Sequence, residues 1–164
     1  PKPRKEAQEL HRLVGFDPAS KAGAEGGFMQ VCRELDYGVR AVLMLSAAEG
    51  EVISKKRISE RMQIPVNFLA IILPKLVRTG IINSIPGPKG GYQLSRRPSE
   101  ISINDVIGSI CKSFAFNRCL DVSKGCELDS VCPVKPHWSF VQGMIEEYLS
   151  KVNFDQLAKD LKNK

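Results

Sequence analysis

Two helical repeats joined by a short turn, a glycine- and proline-rich hairpin after them, and a later apolar row at heptad spacing predict the fold class. It is mainly α with a small β-hairpin: a winged helix-turn-helix head followed by a long dimerisation helix.

The first helix is predicted from Arg33 to Ala48, where Leu35, Val39, Val42, Leu43 and Leu45 follow a helical repeat and Gly50 ends it. Ser54 is placed to cap a short second helix carrying Ile58 and Met62 on its inner side. Gln63-Ile64-Pro65 reads as the turn. A third helix is expected from about Val66 to Thr79, stopped by Gly80. Within it Leu69, Ile72, Leu73 and Leu76 share one face, and Asn67, Ile71, Pro74 and Arg78 share the opposite one. Ile81–Ile85 alternates loosely, Pro86-Gly-Pro-Lys-Gly-Gly91 turns, and Tyr92–Ser95 returns as a strand. Lys89 falls at the hairpin tip, where Gly90 and Gly91 let the backbone approach a phosphate. Ile101–Phe114 is amphipathic, with Val106, Ile107, Ile110, Cys111 and Phe114 in register, and Cys111 reads as a small core hydrophobe.

Next comes a stretch without helical or strand periodicity that holds Cys119, Cys126 and Cys132. Thiolates are the ligands preferred by iron–sulfur clusters and zinc. A disulfide would leave one thiol over, and zinc sites usually bring tight cysteine pairs, which are absent here. A cluster, a zinc site completed by His137, and a structural trio of cysteines remain the readings of the spacing. After the loop, Trp138, Val141, Ile145, Tyr148 and Val152 repeat at three, four, three and four residues, a seam suited to a second copy of the chain. Phe154, Leu157 and Leu161 suggest a short last helix.

The division expected is 1–28 as a leader, tag or disordered extension, 29–100 as the DNA-binding head, and 101–164 as cysteine loop and dimerisation helix. The chain has 164 residues and a net charge of +6. Residues 29–100 hold eleven Lys/Arg against six Asp/Glu, whereas residues 101–164 hold eight of each. The excess points the head at a polyanion, double-stranded DNA. No apolar run reaches membrane-spanning length, so no membrane partner is expected. No signal-peptide pattern is read, and a reducing, cytoplasmic setting is expected. No Cys-x-x-Cys pair or Ser/His/Asp constellation is present, and the expectation is a protein that is not an enzyme. A carrier or redox thiol protein without a DNA role is the alternative.

Met29-Gln-Val-Cys-Arg-Glu-Leu-Asp-Tyr-Gly-Val-Arg-Ala-Val-Leu43, the Gly80-Ile-Ile run and Pro86-Gly-Pro-Lys-Gly-Gly-Tyr92 resemble the Rrf-type winged-helix bacterial transcription regulators, with their IscR-like and NsrR-like branches. The resemblance runs from Met29 to about Leu161. It implies a homodimeric transcription regulator that senses iron–sulfur, redox or nitric-oxide status through a [2Fe–2S] or [4Fe–4S] cluster on Cys119, Cys126 and Cys132. The first cysteine gap is one residue longer than in the IscR-like branch, and Lys135 stands where that branch has a histidine. In NsrR-like members an acidic residue on the first helix of the other subunit is the fourth ligand. Asp36 occupies that position, with His137 as the lesser candidate. Ala70 replaces a base-reading glutamate of the IscR-like branch, so a different operator is implied. The DNA-facing set is Lys55, Lys56, Arg57, Asn67, Phe68, Ile71, Lys75, Arg78, Lys89, Gly90, Gly91 and Tyr92. Asn67 is the candidate for base readout, and Lys75 and Arg78 for phosphate.

Overall fold

A buried layer of aliphatic side chains holds four helices, a hairpin and a returning C-terminal helix together. The computed structural model describes residues 31–111, 115, 117–121 and 126–163. The leader expected over 1–28, together with Phe114, Lys124 and Gly125, lies outside the described residues.

Helix α1 is Arg33–Ala47, one residue shorter than expected, and buries Leu35, Ala41, Val42, Met44 and Leu45. Helix α2 is Lys55–Met62; the Ser54 hydroxyl accepts the Arg57 N–H at 3.2 Å, the cap the sequence places there. Gln63, with φ of 53°, ends α2 in a left-handed turn, and Pro65 leads into α3, Val66–Arg78. Leu69, Ile72, Leu73 and Leu76 of α3 are fully buried, while Asn67, Ile71, Pro74 and Arg78 face outward, the two faces the periodicity separates.

Strands β1 (Ile82–Ile85) and β2 (Gly91–Leu94) pair antiparallel with Ile82 opposite Leu94 and Ile85 opposite Gly91. Ile53 adds a one-residue bridge that the sequence did not disclose. Its N–H donates to the Tyr92 carbonyl and its carbonyl accepts the Tyr92 N–H, both at 2.9 Å. The hairpin is thereby tied to the segment that precedes α2.

Helix α4 is Ile103–Ile110, shorter at both ends than the expected Ile101–Phe114. Ser102 and Asp105 form a reciprocal capping box that sets its start. At its end Cys111 has extended backbone, so this residue is a half-buried terminator beside the core rather than a helical core position. A 3-10 turn at Arg118–Leu120 precedes helix α5, Lys135–Lys151. Helix α6, Phe154–Lys162, turns back and packs on α1, burying Phe154 completely. An extended bridge fixes that return: the Ile103 N–H donates to the Val152 carbonyl and the Phe154 N–H to the Ile101 carbonyl, each at 3.0 Å. No described helix is long and apolar enough to cross a membrane.

Candidate nucleic-acid interface and cysteine site

The outward face of α3 carries Asn67, Ala70, Ile71, Pro74 and Arg78, all exposed. Asn67 offers an amide that can pair with an adenine edge, and Ile71, 49% exposed, offers apolar contact for a thymine methyl. Pro74 has no N–H, so the Ala70 carbonyl on this face loses its usual partner inside the helix. Phe68 sits behind the face rather than on it. It is half-buried, its ring edge-on to Tyr37 at 5.1 Å.

The cations divide into two groups. Lys55, Arg78 and Lys89 are exposed and make no ion pair with a described residue. Arg57 pairs with Glu51 at 2.5 Å, and Lys56 lies 3.9 Å from Glu60. Lys75 is half-buried and committed inside the protein, its ammonium 2.6 Å from Glu34 and 3.4 Å from the Ile110 carbonyl. At the wing, Lys89 stands in the turn between β1 and β2. The two glycines beside it answer to internal packing as well. A Cβ on Gly90 would lie 2.2 Å from the Ile85 carbonyl oxygen, and one on Gly91 would lie 2.4 Å from that of Ile53. Tyr92 is half-buried against the core.

Around the cysteines, Cys119 and Cys132 are half-buried and Cys126 is exposed. The Lys135 ammonium, on the first turn of α5, bonds the Asp129 carboxylate. That hydrogen bond raises the lysine above its ordinary range, and the Cys119 and Cys126 thiols add smaller electrostatic contributions. An open cavity of about 440 Å³ lies against Cys119, Asp121, Asp129 and Lys135. No cluster of three or more His, Cys, Asp or Glu side chains close enough to hold a metal ion is assembled among the described residues. His137 is exposed on the α5 surface. Asp36, on α1, pairs with Arg40 at 2.7 Å, whose guanidinium in turn lies 5.7 Å from the Tyr37 ring centre.

Helix α5 buries no residue completely. Trp138, Val141, Ile145 and Val152 are half-buried, and Tyr148 is 66% exposed. Beside them Phe140 is 70% and Met144 51% exposed, two residues the heptad reading passed over. Their signal was present in the sequence: Phe140, Met144 and Tyr148 recur every four residues, one strip along a helix. The asparagine-led α3 face, the wing lysine and this apolar strip are thus presented by three separate elements.

A model of the Rrf2 family, described as an iron-dependent transcriptional regulator, matches residues 31–160. An HTH-type transcriptional regulator, ORF2, of Azotobacter vinelandii is 34% identical over 123 residues, covering 74% of each chain. The HTH-type transcriptional regulator IscR of Aliivibrio salmonicida is 32% identical over 126 residues, 76% of this chain and 74% of that one. Among solved structures, that of T. potens IscR superposes with a TM-score of 0.64 at 29% identity, over 82% of this chain and 89% of that one.

Proposed function

The chain belongs to the Rrf2 family of DNA-binding transcriptional regulators, and from that premise we propose that it is a cytoplasmic homodimer that senses iron–sulfur, redox or nitric-oxide status through a cluster bound by Cys119, Cys126 and Cys132. Family membership makes it a winged-helix regulator and not an enzyme. The carrier or redox protein without a DNA role is set aside on the same ground.

The observation that supports cluster binding is that Cys119 and Lys135 line one open cavity, with Cys126 and Cys132 in the same loop. Three thiols with a cation close by suit a polyanionic iron–sulfur group, since a positive neighbour stabilises the thiolate ligands. When bound, that group supplies iron open to attack by nitric oxide or oxidant. The protein's own part is to hold it: three thiolates from the loop, and an oxygen donor from Asp36 of the partner subunit. Residues 29–100 act as the head that reads the operator, and residues 101–164 as the sensing and dimerising part. Lys55, Lys56, Arg57, Arg78 and Lys89 meet phosphate, Asn67 and Ile71 meet bases, and Gly90, Gly91 and Tyr92 shape the wing. Lys75 spends its charge on Glu34 and leaves the proposed contact set.

The test is anaerobic purification followed by absorption and Mössbauer spectra, which also separate [2Fe–2S] from [4Fe–4S]. Operator binding is then measured in a mobility-shift assay with and without the cluster. Serine at any of the three cysteines is expected to deplete iron and change operator affinity. A colourless protein whose operator binding ignores all three substitutions would sink the reading.

A further inference from the structure

Two cysteines lie outside the cluster loop, and the fold brings them together. Cys32 caps the start of α1 and Cys111 terminates α4. Both flank the same lysine. Lys75 bonds Glu34, two residues after Cys32, and the carbonyl of Ile110, the residue before Cys111. Helices α1 and α4 meet closely nearby, where a Cβ on Gly38 would come within 1.9 Å of Ile110 Cδ1. The Cys32 thiol lies within electrostatic reach of the Cys111 thiol and is the largest charged influence on it. Cys32 is exposed to solvent and Cys111 is half-buried.

We propose that Cys32 and Cys111 are a peroxide-oxidised dithiol pair that closes to an intrachain disulfide joining the start of α1 to the end of α4.

The exposed sulfur of Cys32 attacks a peroxide oxygen and the O–O bond breaks. Cys32 becomes a sulfenic acid, and the departing hydroxide takes the thiol proton and leaves as water. The Cys111 sulfur then attacks the sulfenic sulfur. The S–O bond breaks, a second water leaves with the Cys111 proton, and the S–S bond forms. Two electrons pass from the two thiols to one peroxide. Burial, and next to it the charge of Cys32, push the Cys111 thiol up to about 11. Cys111 is therefore the slower thiol to react with peroxide directly, and Cys32 is attacked first. Transient, sensing disulfides of this kind are the sort compatible with a reducing compartment.

The inference does not require the cluster or the operator, so its failure is separable from theirs. The full chain is treated with hydrogen peroxide, alkylated and digested without reductant, and its peptides are weighed. A Cys32–Cys111 linked peptide, two hydrogens lighter than the reduced pair, is expected within a single chain. In a variant carrying Cys119→Ser, Cys126→Ser and Cys132→Ser, the two remaining thiols should fall to none and the thermal midpoint should rise. Adding Cys32→Ser or Cys111→Ser should abolish both changes. A cross-link between two chains would overturn the proposal. So would Cys32 passing to sulfinic acid while Cys111 stays open to alkylation. Should the triple variant not fold, the peptide map of the unmodified sequence decides alone.

Discussion

At Asp36 the carboxylate already has a partner, the Arg40 guanidinium one turn along α1. An exposed pair at this spacing contributes only about 0.3–0.5 kcal/mol, so exchanging the arginine for the proposed cluster iron of a second subunit would cost little. Asp36→Ala is expected to retain a bound cluster but alter its absorption spectrum and its coupling to operator affinity, while His137→Ala leaves both near the parent. The reverse pattern would transfer the fourth-ligand role to His137. The α3 face gives a second residue-level expectation. Asn67→Ala should relax preference at one base position by about 1–3 kcal/mol. Arg78→Ala and Lys89→Ala should weaken binding to every sequence and each lower the salt slope by about one. Operator variants titrated at several salt concentrations check both, and unchanged base preference in Asn67→Ala would mean that α3 meets the groove in another register. The sequence showed the α3 faces clearly because a 3.6-residue repeat sorts side chains without reference to any other element. It could not show that Lys75 turns to Glu34, since that pair spans forty-one residues and depends on how α1 packs against α3.

Between elements, the wing and α5 carry the next expectations. Gly91 lies where a methyl group would press on the Ile53 carbonyl. Gly91→Ala should break the Ile53–Tyr92 rung, lower the melting temperature and weaken operator binding through the displaced wing. An unchanged melting profile would remove that rung from the stabilising contacts. The hairpin was legible from Pro86-Gly-Pro-Lys-Gly-Gly91, whose residue types demand a turn. The Ile53 bridge was not, because a single extended residue leaves no alternation to detect. Helix α4 was overdrawn for a related reason. Apolar spacing continues through Cys111, but the Ser102–Asp105 box and the extended Cys111 backbone set shorter limits. On α5, Phe140, Met144 and Tyr148 leave an exposed apolar strip beside the Trp138, Val141, Ile145, Tyr148 and Val152 seam proposed to meet a second copy. Tyr148→Glu is the cleaner probe of that contact than a charge at half-buried Ile145, since Tyr148 is the more exposed of the two. Sedimentation should report monomers and operator binding should fall; an intact dimer would place the interface elsewhere.

Across the whole molecule, the last helix closes the fold on the first. Phe154 is fully buried where α6 returns to α1, so Phe154→Ala should cost about 3–5 kcal/mol, read from denaturant unfolding. A loss below about 1 kcal/mol would mean that α6 is not part of the cooperative unit. The sequence announced a short last helix but not its docking site, because packing of α6 on α1 joins residues more than a hundred positions apart. That docking has a mechanical consequence. The far end of α5 is pinned through Val152 and Phe154 to the strand-like segment before α4, while its near end emerges from the cysteine loop. Seventeen residues make a rod of roughly 25 Å at about 1.5 Å per residue. Pivoting by roughly 10° about the pinned end displaces the loop end by about 4 Å and the fulcrum hardly at all. Any such pivot would give the cysteine end the long arm and the Ile101–Ile103 segment the fulcrum.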